Sequence, residues 1–184
     1  MSIEKFTTEG VILSEYVSGE MDVVFKIYTR DFGVITAKQS SLKKSAKLRP
    51  HLLKYKVVNV TVVKGKEIYR IAGARESEVL RGTSEVLPHI CQIVLRFLAF
   101  ENKNIKLYDR MMEYVNSDAN DVAMTRLCII ADVMINGGYL DTQNINMTLE
   151  EYKSSSVDDM YMKVVMNKSS IVKNLRDAVD ASML

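Results

Sequence analysis

The chain has 184 residues, 47% hydrophobic and 26% charged, which is enough apolar content for a core and rules out global disorder. Two cysteines without a C-x-x-C pair and two isolated histidines exclude a zinc centre built from the usual ligands. The net charge of +2 conceals an asymmetry: residues 1–81 carry 15 Lys and Arg against 9 Asp and Glu, whereas residues 82–184 carry 10 against 14.

No apolar run reaches the roughly 20 residues of a membrane span, and MSIEKFTTEG lacks the apolar stretch of a signal peptide, so a cytoplasmic protein with no membrane partner is expected. Residues 9–16 begin a β-rich half, followed by a turn at 17–20. Residues 22–30 alternate: Val23, Phe25, Ile27 and Thr29 share one face, and Val24, Lys26, Tyr28 and Arg30 the other. Asp31-Phe32-Gly33 turns the chain into a returning strand at 34–38.

Residues 39–53 lose the alternation and form a basic loop ending near Pro50. Two further strands, 55–64 and 67–75, are joined by a turn at Lys64-Gly65-Lys66. Five strands without crossover helices point to an antiparallel, OB-type Greek-key barrel. After Glu76 the period becomes helical, with helices expected at 87–100, 105–115 and 118–135, the last capped by Asp118, Asn120 or Asp121 and stopped by Asn136-Gly137-Gly138. Residues 149–152 and 157–184 continue the pattern with a break at Ser169-Ser170. The expected organisation is α+β: a barrel domain over 1–80 and an all-helical domain over 81–184.

The chemistry concentrates between Lys26 and Arg81, where 14 basic residues face 4 acidic ones. Lys38, Lys43, Lys44, Lys47 and Arg49 follow a hairpin whose outward face offers Lys26, Tyr28 and Arg30, with Phe32 at its turn. Cations track phosphates and aromatic faces stack on unpaired bases, so this stretch is the candidate single-strand nucleic-acid surface. No Gly-rich phosphate loop and no convergent nucleophile, base or metal set occurs, so neither a cofactor nor catalysis is expected. Glu150-Glu151 and Asp158-Asp159 are adjacent pairs that suit helix N-termini better than a carboxylate site. Cys91 and Cys128 fit buried reduced thiols, and Met160, Met162 and Met166 fit core filling.

Gly10-Val11-Ile12-Leu13, Gly19-Glu20-x-Asp22, the run from Tyr28 to Ile35, Ala37-Lys38, Lys44-Ser45 and Lys64-Gly65 together resemble the RecO recombination mediators, as does Gly138-Tyr139-x-Asp141. That resemblance implies single-stranded DNA binding and strand annealing in DNA repair, and co-operation with a RecR-like partner, single-strand-binding protein and a RecA-like recombinase. It places DNA contacts on Arg30, Lys38, Lys43, Lys44 and Lys47; Lys26, Tyr28 and Arg49 come from alternation and charge. Gln39-Ser40-Ser41-Leu42 stands where the family has a glycine and an arginine pair, and residues 142–147 lack the cysteines of the zinc module many members carry. A protein-interaction adaptor with little nucleic-acid affinity and an RNA-binding OB protein are the alternative readings.

Overall fold

The computed structural model describes residues 4–18, 22–40, 48–78, 85–117 and 121–181. The chain divides into two compact units, one of Met1–Thr83 with Ala99–Tyr108 and one of Ser84–Leu98 with Asp109–Leu184. Each is described in turn.

In the first unit, β1 (Lys5–Ser18), β2 (Asp22–Thr29), β3 (Gly33–Gln39), β4 (Val57–Lys64) and β5 (Tyr69–Glu76) close into a barrel of order β1-β2-β3-β5-β4. The OB-type barrel read from the sequence is therefore present, with one difference: β3 and β5 pair in parallel at Ala37↔Tyr69 and Lys38↔Arg70, while the other pairs are antiparallel. That parallel pair is the contact that closes the barrel between β3 and β5. β1 is long enough to serve two neighbours. Its first half pairs with β4 and its second with β2, and a bulge between Ile12 and Ser14 bends it between the two.

Alternation then fills the interior. Ile12, Phe25, Ile27, Ile35, Ala37, Val58, Val60, Val62, Tyr69 and Ile71 make one buried cluster, and Leu52 from the β3–β4 connection joins it. Each buried side chain of this kind contributes about 1.5–3 kcal/mol relative to exposure. Gly10 faces this crowded interior: a Cβ there would come within 2.9 Å of Ile27 and of the Tyr28 carbonyl.

The second unit contains α1 (Leu87–Phe97), the greater part of α2 (Ile105–Asn116), α3 (Val122–Asn136), a 3-10 turn (Thr142–Ile145), α4 (Leu149–Ser154), α5 (Val157–Met166) and α6 (Lys168–Ala181). α3 is buried on most sides and packs against α1, α5 and α6, which is the pattern of a central helix. Asp121 caps it by accepting from the Ala123 and Met124 amides, and Gly138 at φ +77 lets the chain turn away after it. Glu151 and Asp159 complete capping boxes with Thr148 and Ser156, so both acidic pairs belong to helix starts. The Thr148 and Ser156 backbone amides hold the Glu151 and Asp159 carboxyls below their usual range.

Two helix boundaries and the burial of two methionines differ from the sequence expectation. α1 ends at Phe97 rather than 100, because Leu98 is already extended and Phe100 bridges to Val34. The break near residue 170 falls at Asn167, which ends α5. Met160 is buried, as expected of core filler, but Met162 and Met166 are exposed.

Charge is buried inside this unit. Asp132 is fully buried and ion-paired to Arg110 Nε at 3.0 Å. It also accepts hydrogen bonds from the Tyr114 and Tyr152 hydroxyls, each at 2.7 Å, and Asn136 donates to the Tyr152 hydroxyl. Arg110 donates further to Ser155 Oγ and the Ser156 carbonyl. Burial pushes the Asp132 carboxyl up from its usual value, while the guanidinium and the hydroxyls pull it back. Both tyrosine hydroxyls are pushed far up by burial, then by the neighbouring carboxylate, which keeps them donors. Every member of the cluster has a partner, and its role is to tie α2, α3 and α4 together.

Candidate nucleic-acid interface

The β2–β3 hairpin is built as its alternation requires, with Phe25 and Ile27 inward and Val24, Lys26 and Tyr28 outward. That outward face is covered. The segment Ala99–Tyr108 belongs to the barrel unit, and it lies over the hairpin: the Glu101 amide donates to the Val34 carbonyl at 2.9 Å, and Phe100 bridges to Val34. Lys26 Nζ stands 5.1 Å from the Phe100 ring centre, and the Tyr28 ring is 5.2 Å from that of Tyr108. Tyr28 is 1% exposed, so the expectation that it stacks on a base is corrected: its ring is spent on packing. Lys26 is half-buried for the same reason.

Gly33 is the hinge of this arrangement. It holds φ +70, and a Cβ on it would overlap the backbone of Asn102. Thr29 Oγ1 steadies the turn by donating to the Gly33 carbonyl at 2.8 Å and accepting from the Phe32 amide at 3.1 Å. Phe32 itself packs edge-on against Phe6 at 5.4 Å and near Tyr69, so it too serves the barrel rather than a base.

The cations fare differently. Arg30 is exposed at the hairpin turn, where its amide donates to the Glu9 carbonyl at 2.9 Å. Lys38 points outward near the end of β3, paired with Asp22 at 2.5 Å. Arg49 is exposed just before Pro50. Lys43, Lys44 and Lys47 lie outside the described residues.

The structure also brings forward residues that alternation alone had not singled out. Lys38 is registered with Arg70 across the parallel β3–β5 pair, which puts two cations side by side on the outer surface. Farther along β5, Arg75 lines a shallow groove with Thr7, Asn59, Thr61, Gly73 and Ala74. The sequence signal for Arg70 and Arg75 was their place on the basic final strand, but a bulge between Thr61 and Val62 hides which face each takes. Among the described residues no three His, Cys, Asp or Glu side chains gather to hold a metal ion, and no helix is long and apolar enough to cross a membrane.

A family model described as Recombination protein O N terminal matches residues 1–78, the barrel with its bounding strands. No curated protein matches the chain.

Proposed function

We propose that the chain, whose residues 1–78 match the N-terminal domain of Recombination protein O, is a RecO-type recombination and repair mediator that binds single-stranded DNA on its barrel, promotes annealing and helps load a recombinase. It acts in the cytoplasm, by binding and not by turnover, with a RecR-like partner, single-strand-binding protein and a RecA-like recombinase as its associates. The observation that carries the reading is the family match falling on the segment with the densest positive charge, 14 basic residues against 4 acidic over residues 26–81. Because Tyr28 and Phe32 are committed to packing, attraction to phosphates carries the binding, and stacking at the hairpin does not contribute. The contacts assigned to DNA are Arg30, Lys38, Lys43, Lys44, Lys47 and Arg49.

A salt titration of oligonucleotide binding tests this. With about 4–6 phosphates neutralised, log K falls against log salt with a slope of roughly −3 to −4 for a single strand. The variant Lys43→Glu/Lys44→Glu/Lys47→Glu should lose binding while its circular dichroism matches the parent. Unchanged affinity in that variant would remove the basic loop from the site, and equal competition by RNA would move the reading toward a general single-strand binder.

A further inference from the structure

Apart from the hairpin covered by Ala99–Tyr108, the barrel presents a second outer surface, formed by β1, β4 and β5, and it is arranged in rows. Lys5, Val63 and Arg70 are registered in one row, Thr7, Thr61 and Gly73 in the next, and Glu9, Asn59 and Arg75 in the third. The interior cluster takes Val60, Val62, Tyr69 and Ile71, which leaves these alternate residues facing outward. Between the rows runs an open groove of about 380 Å³ in which the hydroxyls of Thr7 and Thr61, the Asn59 amide and the Arg75 guanidinium stand among the small apolar surfaces of Gly73 and Ala74.

Three features set this groove apart from an ordinary solvated sheet face. Its acidic neighbours are already engaged: Glu9 accepts from Ser77 Oγ at 2.5 Å and from the Tyr108 hydroxyl at 3.3 Å, and Glu76 pairs with Lys56 at 3.0 Å. Arg70 and Arg75 form no ion pair with an acidic side chain among the described residues; Arg75 lines the groove and Arg70 stands one row beyond it. Gly73 keeps the floor open without being needed there for backbone conformation. It does not take a positive φ, and a Cβ added to it would meet only Thr61, at an ordinary 3.8 Å.

We infer that this β1-β4-β5 groove carries the phosphodiester backbone of a single nucleic-acid strand onward from the basic edge, with Arg70 receiving the strand beside Lys38 and Arg75 holding its far end. The inference rests on the proposed single-strand binding and names the path the strand takes. The parallel Lys38↔Arg70 register makes the two surfaces continuous. Opposite Arg70 and Arg75 the paired strand β4 runs from Val63 to Asn59, about 13 Å at ~3.3 Å per residue, the length of a few nucleotides. The Thr7 and Thr61 hydroxyls bond to one another at 2.9 Å, which leaves one hydroxyl hydrogen of the pair to donate, and with the Asn59 amide it supplies neutral hydrogen bonding suited to sugar and phosphate oxygens. With no aromatic side chain lining it, the groove reads the backbone and not the bases.

Fluorescein-labelled oligothymidylate, titrated at several salt concentrations against the full chain, tests the path. Arg70→Ala/Arg75→Ala should make the log–log salt slope shallower by about 1.4, the value for two phosphates on a single strand. Gly73→Val blocks the groove without changing charge, and should weaken binding about tenfold, the scale of one or two lost hydrogen bonds, with the slope retained. Thermal melts of both variants should match the parent. If the basic-loop variant loses binding while these two keep the parent's affinity and slope, the groove is not the path and the general reading survives. Failure of the parent to bind at low salt would overturn both.

Discussion

The barrel and the helical unit dispose of charge in opposite ways. In the barrel the interior is apolar and cations stand outside, where water and a polyanion can reach them. In the helical unit a carboxylate and a guanidinium are taken inside and enclosed by tyrosine hydroxyls. An outward cation costs the fold little and stays within reach of a ligand, even where, like Lys38 with Asp22, it has an exposed partner. An inward pair is held by its own neighbours, so it fixes helix positions instead of facing a ligand.

The contrast is most easily broken at Asp132. Asp132→Ala leaves Arg110 buried without its counter-ion and should cost about 3–5 kcal/mol, read from urea unfolding. The joint replacement Arg110→Met/Asp132→Leu should recover part of that loss, because neither charge is then stranded while the Tyr114 and Tyr152 hydroxyls still lose their acceptor. If the single variant is as stable as the parent, the cluster is not what holds α2, α3 and α4 together.

Next in size is Gly33→Ala in the barrel, which forces a side chain into the left-handed region and against Asn102; a loss of about 3 kcal/mol is expected in the same assay. A near-neutral result would mean that the 99–108 cover over the hairpin yields easily. The outward cations supply the opposite case. Arg75→Ala should leave the unfolding midpoint within about 0.5 kcal/mol of the parent, as surface changes away from special features usually do.

Smaller effects belong to the helix starts. Thr148→Ala should cost about 1 kcal/mol of stability. Glu151 and Asp159 have carboxyls held below their usual range, so their contribution is present above the unfolded-chain value and lost as pH falls through the folded one. Helicity followed by circular dichroism on acidification should therefore decline below about pH 4, and less so in Thr148→Ala, where the Glu151 cap is already gone.

The thiols report on the interior without perturbing it. Burial, reinforced by the Asp132 charge, pushes the Cys128 thiol up to about 12. Both cysteines are fully buried. Iodoacetamide at about pH 8 should modify neither until denaturant opens the unit, since the thiolate is the reactive form. Rapid labelling of the native protein would show that the helical core opens readily.

Much of this was legible in the chain. Period-2 alternation at Val23, Phe25 and Ile27, glycine at the hairpin turn and the β-branched run from Val57 to Val63 determine a small barrel, because a strand with one apolar face has to bury it. The basic stretch, the acidic helix starts and the buried thiols were equally local properties. Tertiary structure decided the rest. Tyr28 reads as an outward aromatic on a basic strand, and only the return of Tyr108 from eighty residues later turns it into packing. Arg70 and Arg75 read as ordinary strand cations until a bulge and a parallel pairing place them around a groove. Alternation states which side of a strand a residue takes. What covers that side depends on contacts between distant segments, and no local pattern encodes those.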